Sequence, residues 1–310
     1  MTTILITGGA GNIGSTLTSR LSELEQHHIV VVDNLSTGHL SKLPKRSNIS
    51  FIKANVNVYA DIQAVFEGFE FDYVFHFAAV VGVQRTLEDP IAVLEDIEGI
   101  KNVLTLSKES HVKRVFYSSS SEVYGEPFEI PQNENTTPLN SRLPYAIVKN
   151  VGEAFVRTYQ KEYGLPYTIF RFFNTFGPQQ SEDFVIPKFL RAALKNQPIQ
   201  IYGDGLQTRS FCYINDTIDT CIKTLQQEGK NTVINVGNDK EISVLELAQK
   251  IIEVTGSKSK IVHLPALAEG DMRRRCPDVT KMKLVLNREL TPLDKGLRLM
   301  LEFYKSPSEF

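Results

Sequence analysis

Along the first half of the chain, short β-branched runs with apolar residues along both faces alternate with helix-length stretches. The runs are Thr3 to Thr7 (TILIT), His28 to Asp33 (HIVVVD), Ile49 to Ala54 (ISFIKA), Asp72 to Ala78 (DYVFHFA) and Lys113 to Ser119 (KRVFYSS). A strand apolar on both faces is covered on both sides, so the alternation predicts an α/β, doubly wound parallel sheet with helices on each face. Tyr167 to Asn174 predicts a sixth strand and Thr232 to Gly237 a later one. Past Asn174 the pattern loosens into the turn-rich stretches NTFGPQQ and IYGDGLQT, while SVLELAQKIIEVTG reads as an amphipathic helix opened by Ser243 as N-cap and closed by Gly256. The prediction is a large domain of residues 1–174 plus about 211–236, and a smaller interleaved α/β lobe of 175–210 and 237–310. The closing SPSEF reads as a frayed tail.

Composition narrows the class. The chain has 310 residues, is 42% hydrophobic and carries a formal net charge of -2, which offers no basic field for nucleic acid and no polybasic membrane patch. No run reaches the roughly 18 apolar residues of a membrane span, and the N-terminus lacks a signal-peptide pattern, so a cytoplasmic location is expected. The three cysteines Cys212, Cys221 and Cys276 show no CxxC spacing and predict reduced thiols, with no disulfide framework and no metal site.

Two motifs carry chemistry. TGGAGNIGS follows the first strand and opens a helix, placing Gly8, Gly11 and Gly14 where a backbone must turn tightly and approach a pyrophosphate, with helix N–H groups facing the anion. Asp33 ends the second strand about 20 residues on, where an acid bonds ribose hydroxyls and repels a 2′-phosphate, so the expected cofactor is NAD on a Rossmann-type fold. LPYAIVKN puts Tyr145 and Lys149 four apart on one helix face, so that the ammonium lowers the phenol's pKa and makes it a base near neutral pH. The same spacing also occurs in ordinary surface pairs.

With these residues together, the sequence resembles the extended short-chain dehydrogenase/reductase family, in particular its nucleotide-sugar epimerases, dehydratases and decarboxylases. TGGAGNIGS looks like that family's cofactor loop, adding Asn12 and Ile13. VVDNLSTG resembles the adenosine-contacting strand end, with Asn34, Ser36, Thr37 and Gly38, while Asn55 and Val56 fall at the adenine. FHFAAVVGV matches the strand beside the cofactor, which implies contacts from Phe77, Ala78, Ala79 and Val81; Ser118 and Phe172 join them. Two departures are Asn12, where an aromatic is usual, and Asn55, where an aspartate is frequent. YSSSSEVYG is similar to the segment bearing the catalytic serine, which falls on Ser120.

For the substrate, the resemblance implies a nucleoside-diphosphate sugar contacted by Val81, Ser120, Ser121, Glu122, Asn174, Val185, Phe189, Ile201, Arg209 and one or more of Arg273, Arg274 and Arg275. Read structurally, the RRR run is a solvated charge cluster. The implied reaction is NAD-dependent oxidation at C4 of the sugar, with Tyr145 as base, Ser120 hydrogen-bonding the same oxygen and Lys149 anchoring the nicotinamide ribose. Strand alternation would put Glu122 on the side of Ser118 and Ser120, as a base for C5; alternatively it only serves the turn. Hexose 4,6-dehydratases carry Thr-Asp-Glu here and sugar-acid decarboxylases Thr-Ser-Glu or Ser-Glu, against Ser120-Ser121-Glu122 in this chain. LPYAIVKN and FVIPKFL look more like epimerases, so 4-epimerisation leads, with decarboxylation, dehydration and release of a 4-keto sugar as alternatives. A silent NAD-sensing protein is the non-enzymatic alternative. The resemblance also implies a homodimer through helices containing Ile91 to Ser107 and Tyr145 to Tyr163.

Overall fold

The computed structural model describes residues 1–82, 86, 88–227, 231–266 and 273–306, and divides into two compact units. The first unit comprises Met1–Gly125, Leu139–Phe172 and Ile218–Ile234; the second comprises Glu126–Pro138, Phe173–Thr217 and Asn235–Phe310.

A seven-stranded sheet organises the first unit. Strands β1 (Thr2–Thr7), β2 (His27–Asp33), β3 (Ile49–Lys53), β4 (Tyr73–His76), β5 (Arg114–Ser120) and β6 (Tyr167–Phe172) run parallel, and Thr232–Val236, β11 in chain order, adds beside β6. The order β11-β6-β5-β4-β1-β2-β3 reverses direction after β1, the Rossmann arrangement the apolar runs predict. Ile4, Leu5, Ile6, Val30, Val31, Val32, Val74 and Phe75 are fully buried on adjoining strands. Alternate side chains thus point to opposite, equally covered faces. The helices are α1 (Asn12–Leu21), α2 (Tyr59–Gly68), α3 (Pro90–Glu109) and α4 (Pro144–Tyr163), with α3 packed on α4.

β4 and β6 are shorter than the runs that predict them, whereas β1 and β2 each begin one residue earlier. β4 stops at His76 and β6 at Phe172, so Phe77, Ala78 and Asn174 lie in the connections beyond the carboxyl ends, the edge where such sheets take ligands.

Three two-stranded ladders shape the second unit: β7 (Thr175–Phe176) with β10 (Cys212–Tyr213), β8 (Ile199–Tyr202) with β13 (Ile261–Leu264), and β9 (Thr208–Ser210) with β12 (Glu241–Ser243). Helix α5 (Val185–Leu194) packs on α7 (Val244–Thr255). The cap of α7 is as read from sequence: Ser243 Oγ accepts the Glu246 N–H at 3.1 Å, the Glu246 carboxylate accepts the Ser243 N–H at 2.9 Å, and Gly256 turns left-handed. Helices α8 (Thr280–Leu286) and α9 (Leu293–Lys305) complete this unit, while α6 (Ile214–Leu225) begins in it and continues in the first.

Beyond two-residue shifts at 173–174 and 235–236, the division differs from the sequence reading in two places. Residues 126–138 group with the second unit because Gln132 N–H donates to Cys276 O at 2.8 Å, and the Glu134 carboxylate accepts from Asn235 N–H at 2.9 Å. Residues 211–217 do so because β10 pairs with β7. Such long-range pairings leave no periodic trace in the chain. Of the expected frayed tail at 306–310, residues 307–310 lie outside the described residues, as do residues 267–272 before the arginine run.

Candidate active site

The glycine loop sits between β1 and α1, and Gly8 and Gly14 are sterically required there. Gly8 has φ +68°, and a Cβ there would lie 2.6 Å from Ala78 N; at Gly14 it would lie 2.3 Å from the Gly8 carbonyl oxygen. Helix α1 begins with no side-chain cap and no acid in its first turn, so its N-terminal N–H groups are left for an anion. Asn12 Oδ1 is buried there without a hydrogen-bond partner. At the end of β2, the Asp33 carboxylate accepts from Ala10 N–H at 3.0 Å and Leu35 N–H at 2.8 Å, with Gly38 pressed against it. Asn34 Oδ1 accepts the Ser36 N–H at 3.0 Å, beside half-buried Thr37, and Asn55 Oδ1 accepts the Asn57 N–H at 3.1 Å, next to buried Val56. Thr7 Oγ1 accepts the N–H groups of Phe77 and Ala78 at 3.2 and 3.3 Å, tying the β4 connection of Phe77 to Val81 to the glycine loop.

Tyr145 and Lys149 lie in the first two turns of α4, started by Pro144 at its first position. Lys149 is 4% exposed, donating to the Ser118 carbonyl at 2.7 Å and to Ser118 Oγ at 3.3 Å. Its ammonium stands 5.7 Å from the Tyr145 ring centroid and 5.3 Å from that of Tyr117. Burial pushes the Lys149 pKa down to about 8, opposed by the Asp96 carboxylate. Asp96 is itself pushed up by burial, while the Val80 N–H bond at 2.7 Å favours its charged form. His76, paired in register with Tyr117 and bonded through Nδ1 to Thr7 Oγ1 at 2.8 Å, is driven down to about 3 by burial and then by the Lys149 charge. It is therefore neutral at physiological pH.

The expectation that strand alternation carries Glu122 to the side of Ser118 and Ser120 is corrected by the structure. β5 ends at Ser120, and Ser121–Tyr124 forms a single 3-10 turn. Ser120 Oγ caps that turn by accepting the Glu122 N–H at 3.2 Å, and the Gly125 N–H closes it on the Glu122 carbonyl at 3.1 Å. A hydroxyl that accepts a backbone N–H keeps its own proton to donate. Half-buried Glu122 is directed by the turn rather than by the pleat.

In the second unit, Thr208 N–H donates to the Arg273 carbonyl at 2.9 Å, which brings Arg209 on β9 beside the arginine run. Arg274 is ion-paired with Glu241, its Nε 3.2 Å from Oε1, whereas Arg273 is exposed and Arg275 is 7% exposed. The solvated-cluster reading thus fits Arg274 and not Arg275. Half-buried Asn174 accepts the Cys212 N–H at 2.9 Å through its carbonyl, and half-buried Val185 opens α5. Phe189 and Ile201 are 3% and 1% exposed, in the core of this unit. Their side chains therefore serve packing here.

The sequence profile described as the NAD dependent epimerase/dehydratase family matches residues 4–237. The chain belongs to this family. It is 37% identical to a UDP-N-acetyl-alpha-D-glucosaminuronate decarboxylase of Bacillus cytotoxicus, over 90% of each chain. It is 32% identical to a putative UDP-glucose 4-epimerase of Methanocaldococcus jannaschii, over 98% of each. Among solved structures it superposes on the UDP-glucose 4-epimerase of Thermotoga maritima, determined with UDP-glucose, at a TM-score of 0.92 and 32% identity, covering 97% of this chain and 98% of that one.

Membership of the NAD dependent epimerase/dehydratase family makes the protein an enzyme of this type, against the silent-sensor alternative, and its cofactor NAD. The residues present fit that group: an uncapped helix start, a turn with no room for a Cβ at Gly8 or Gly14, an orphaned Asn12 oxygen and a carboxylate at the end of β2. No helix among the described residues is long and apolar enough to cross a membrane. Asp96, His76 and Tyr117 beside Lys149 carry no signal in the sequence. They are brought in by strand register and helix packing.

Proposed function

We infer that this enzyme oxidises C4 of a uridine-diphosphate sugar and returns the hydride to the opposite face, yielding the 4-epimer. The observation that carries the reading is the buried Lys149 ammonium, packed against Tyr145 in the unit that holds the glycine cradle. NAD, when bound, supplies the acceptor for the C4 hydrogen as hydride. Tyr145 takes the hydroxyl proton, and the positive charge of Lys149 favours its phenolate. The Ser120 proton is donated to the same sugar oxygen, and the Lys149 side chain also serves the nicotinamide ribose. Reversal of these steps after the keto sugar turns over restores the alcohol. Uridine is supported by the three relatives given above, each of which is named for a UDP sugar. For the diphosphate, the candidates are Arg209 and the Arg273 to Arg275 run, on the resemblance of their segments to those that hold this group in the family; Arg274 carries an ion pair with Glu241.

Decarboxylation is the second reading, favoured by Glu122 in the turn after Ser120 and by the 37% identity to a uronate decarboxylase. A C4 ketone makes a C6 carboxylate a β-keto acid, which loses carbon dioxide. Incubating the enzyme with NAD and UDP-glucose, UDP-N-acetylglucosamine or UDP-glucuronic acid, and reading products by mass spectrometry and NMR, separates the outcomes. Unchanged mass with inverted C4 supports epimerisation, and loss of carbon dioxide supports the second reading. No product from any of them, with Tyr145→Phe indistinguishable from the parent, refutes both. A homodimer through α3 and α4 is supported by exposed apolar side chains on both: Ile91 and Leu94, and Ile147 and Tyr163.

A further inference from the structure

Four side chains from four elements meet in a closed polar knot beneath the catalytic segment. Glu153 lies one helical turn beyond Lys149 on α4, and Arg171 lies on β6. Arg171 Nε and Nη2 donate to the two Glu153 oxygens at 2.8 and 2.7 Å, a bidentate fork. Ser119 Oγ, next to Ser120 on β5, donates to Glu153 Oε1 at 2.7 Å. Arg171 Nη1 donates to the hydroxyl of Tyr124, the last residue of the turn that carries Glu122, and the guanidinium stacks 4.9 Å from that ring centroid. Glu153 and Arg171 are each 2% exposed, as is Ser119, and Tyr124 is 1% exposed.

Stability alone does not account for this arrangement. Taking a carboxylate and a guanidinium out of water costs several kcal/mol each, and well-packed apolar residues of similar volume commonly hold elements together as well or better. What apolar packing lacks is direction: a planar fork, a hydroxyl donor and a phenol acceptor define angles, whereas aliphatic contacts tolerate slip. The knot's attachment points are the immediate neighbours, in chain or by one turn, of Ser120, Glu122 and Lys149.

We propose that Glu153 and Arg171 are positioning residues that fix helix α4, with Tyr145 and Lys149, in register with Ser120 and the Glu122 turn. This rests on the reading of Tyr145, Lys149 and Ser120 as the reacting groups. Neither residue touches the sugar; they act through the elements they join. Displacement of a reacting group by about 1 Å costs up to about 100-fold in rate.

The test replaces the pair by apolar residues of similar size, Glu153→Leu with Arg171→Met, and uses the UDP sugar of the three above that the parent turns over. The double variant is expected to keep its melting temperature and NAD affinity, to lose at least tenfold in kcat with KM changed less than threefold, and to shift the acidic limb of its pH profile upward. The upward shift follows from moving the Tyr145 phenol away from the Lys149 charge. Arg171→Lys retains charge without the fork, so its kcat falls too. Tyr124→Phe removes a single bond of the knot and keeps the comparison open if the double variant fails to fold; a severalfold kcat loss at unchanged melting temperature is expected. Parent-like kcat and pH profile in a folded double variant, or in Tyr124→Phe where the double does not fold, overturn the proposal. Tyr145→Phe, run alongside, separates the two claims. If it turns over substrate like the parent, the reading of the reacting groups is wrong; if it is inactive while the double variant matches the parent, only the positioning role is wrong.

Discussion

Lys149→Met is expected to make the protein more stable at pH 7 while abolishing turnover. The methionine keeps the length and apolar stem of lysine and removes the buried charge. In the folded protein the Lys149 pKa stands at about 8 against 10.5 for the free side chain. At about 1.4 kcal/mol per unit, the folded state carries a penalty of about 3 kcal/mol for keeping the ammonium charged below pH 8. Losing the bond to the Ser118 carbonyl, 2.7 Å long, returns about 1–2 kcal/mol of that. The net gain of about 1–2 kcal/mol corresponds to a melting temperature about 2–4 °C higher. Between pH 8 and 10.5 the unfolded chain holds a proton on Lys149 that the folded chain has released, so the parent gains stability as pH rises through this window. The variant has no such proton, and the gap closes or reverses by pH 10. Thermal melts of both proteins at pH 7 and pH 10, with NAD absent, read this directly. A variant that melts below the parent at pH 7, by an amount unchanged at pH 10, refutes the claim that burial strains this ammonium.

Gly14→Ala brings a Cβ to 2.3 Å from the Gly8 carbonyl, and calorimetry is expected to show NAD binding weakened at least tenfold; parent-like affinity defeats the assignment of the cradle. Glu122→Gln is expected to spare epimerisation while stopping carbon dioxide loss from UDP-glucuronic acid, measured by NMR of the products; loss of epimerisation would give Glu122 a part in that reaction. Ile91→Glu with Ile147→Glu places charges on the exposed apolar positions of α3 and α4, and light scattering is expected to report twice the chain mass for the parent and a single chain for the variant. A parent that is already monomeric rejects the dimer.

Much of the molecule was legible from local spacing. Apolar runs gave the strands, the glycine interval with Asp33 gave the cofactor loop, and a four-residue interval put Tyr145 and Lys149 on one face. The three arginines read alike as a group, and only the fold showed Arg274 paired with Glu241 on β12. Glu122 was found as a residue and misdirected as a side chain: the alternation rule holds while the ladder continues, and here it stops at Ser120.

Periodicity and turn chemistry act over a few residues, and so the sequence by itself determined the doubly wound sheet, the glycine turn between β1 and α1, the cap of α7 and the shared helix face of Tyr145 and Lys149. The tertiary structure decided what depends on partners far along the chain. Tyr124 meets Arg171 across 47 residues, and Glu134 meets Asn235 across 101. The lowered pKa of Lys149 belongs to the same class, because it arises from helix α4 packing that ammonium into the sheet, and desolvation is a property of the assembled core rather than of any motif.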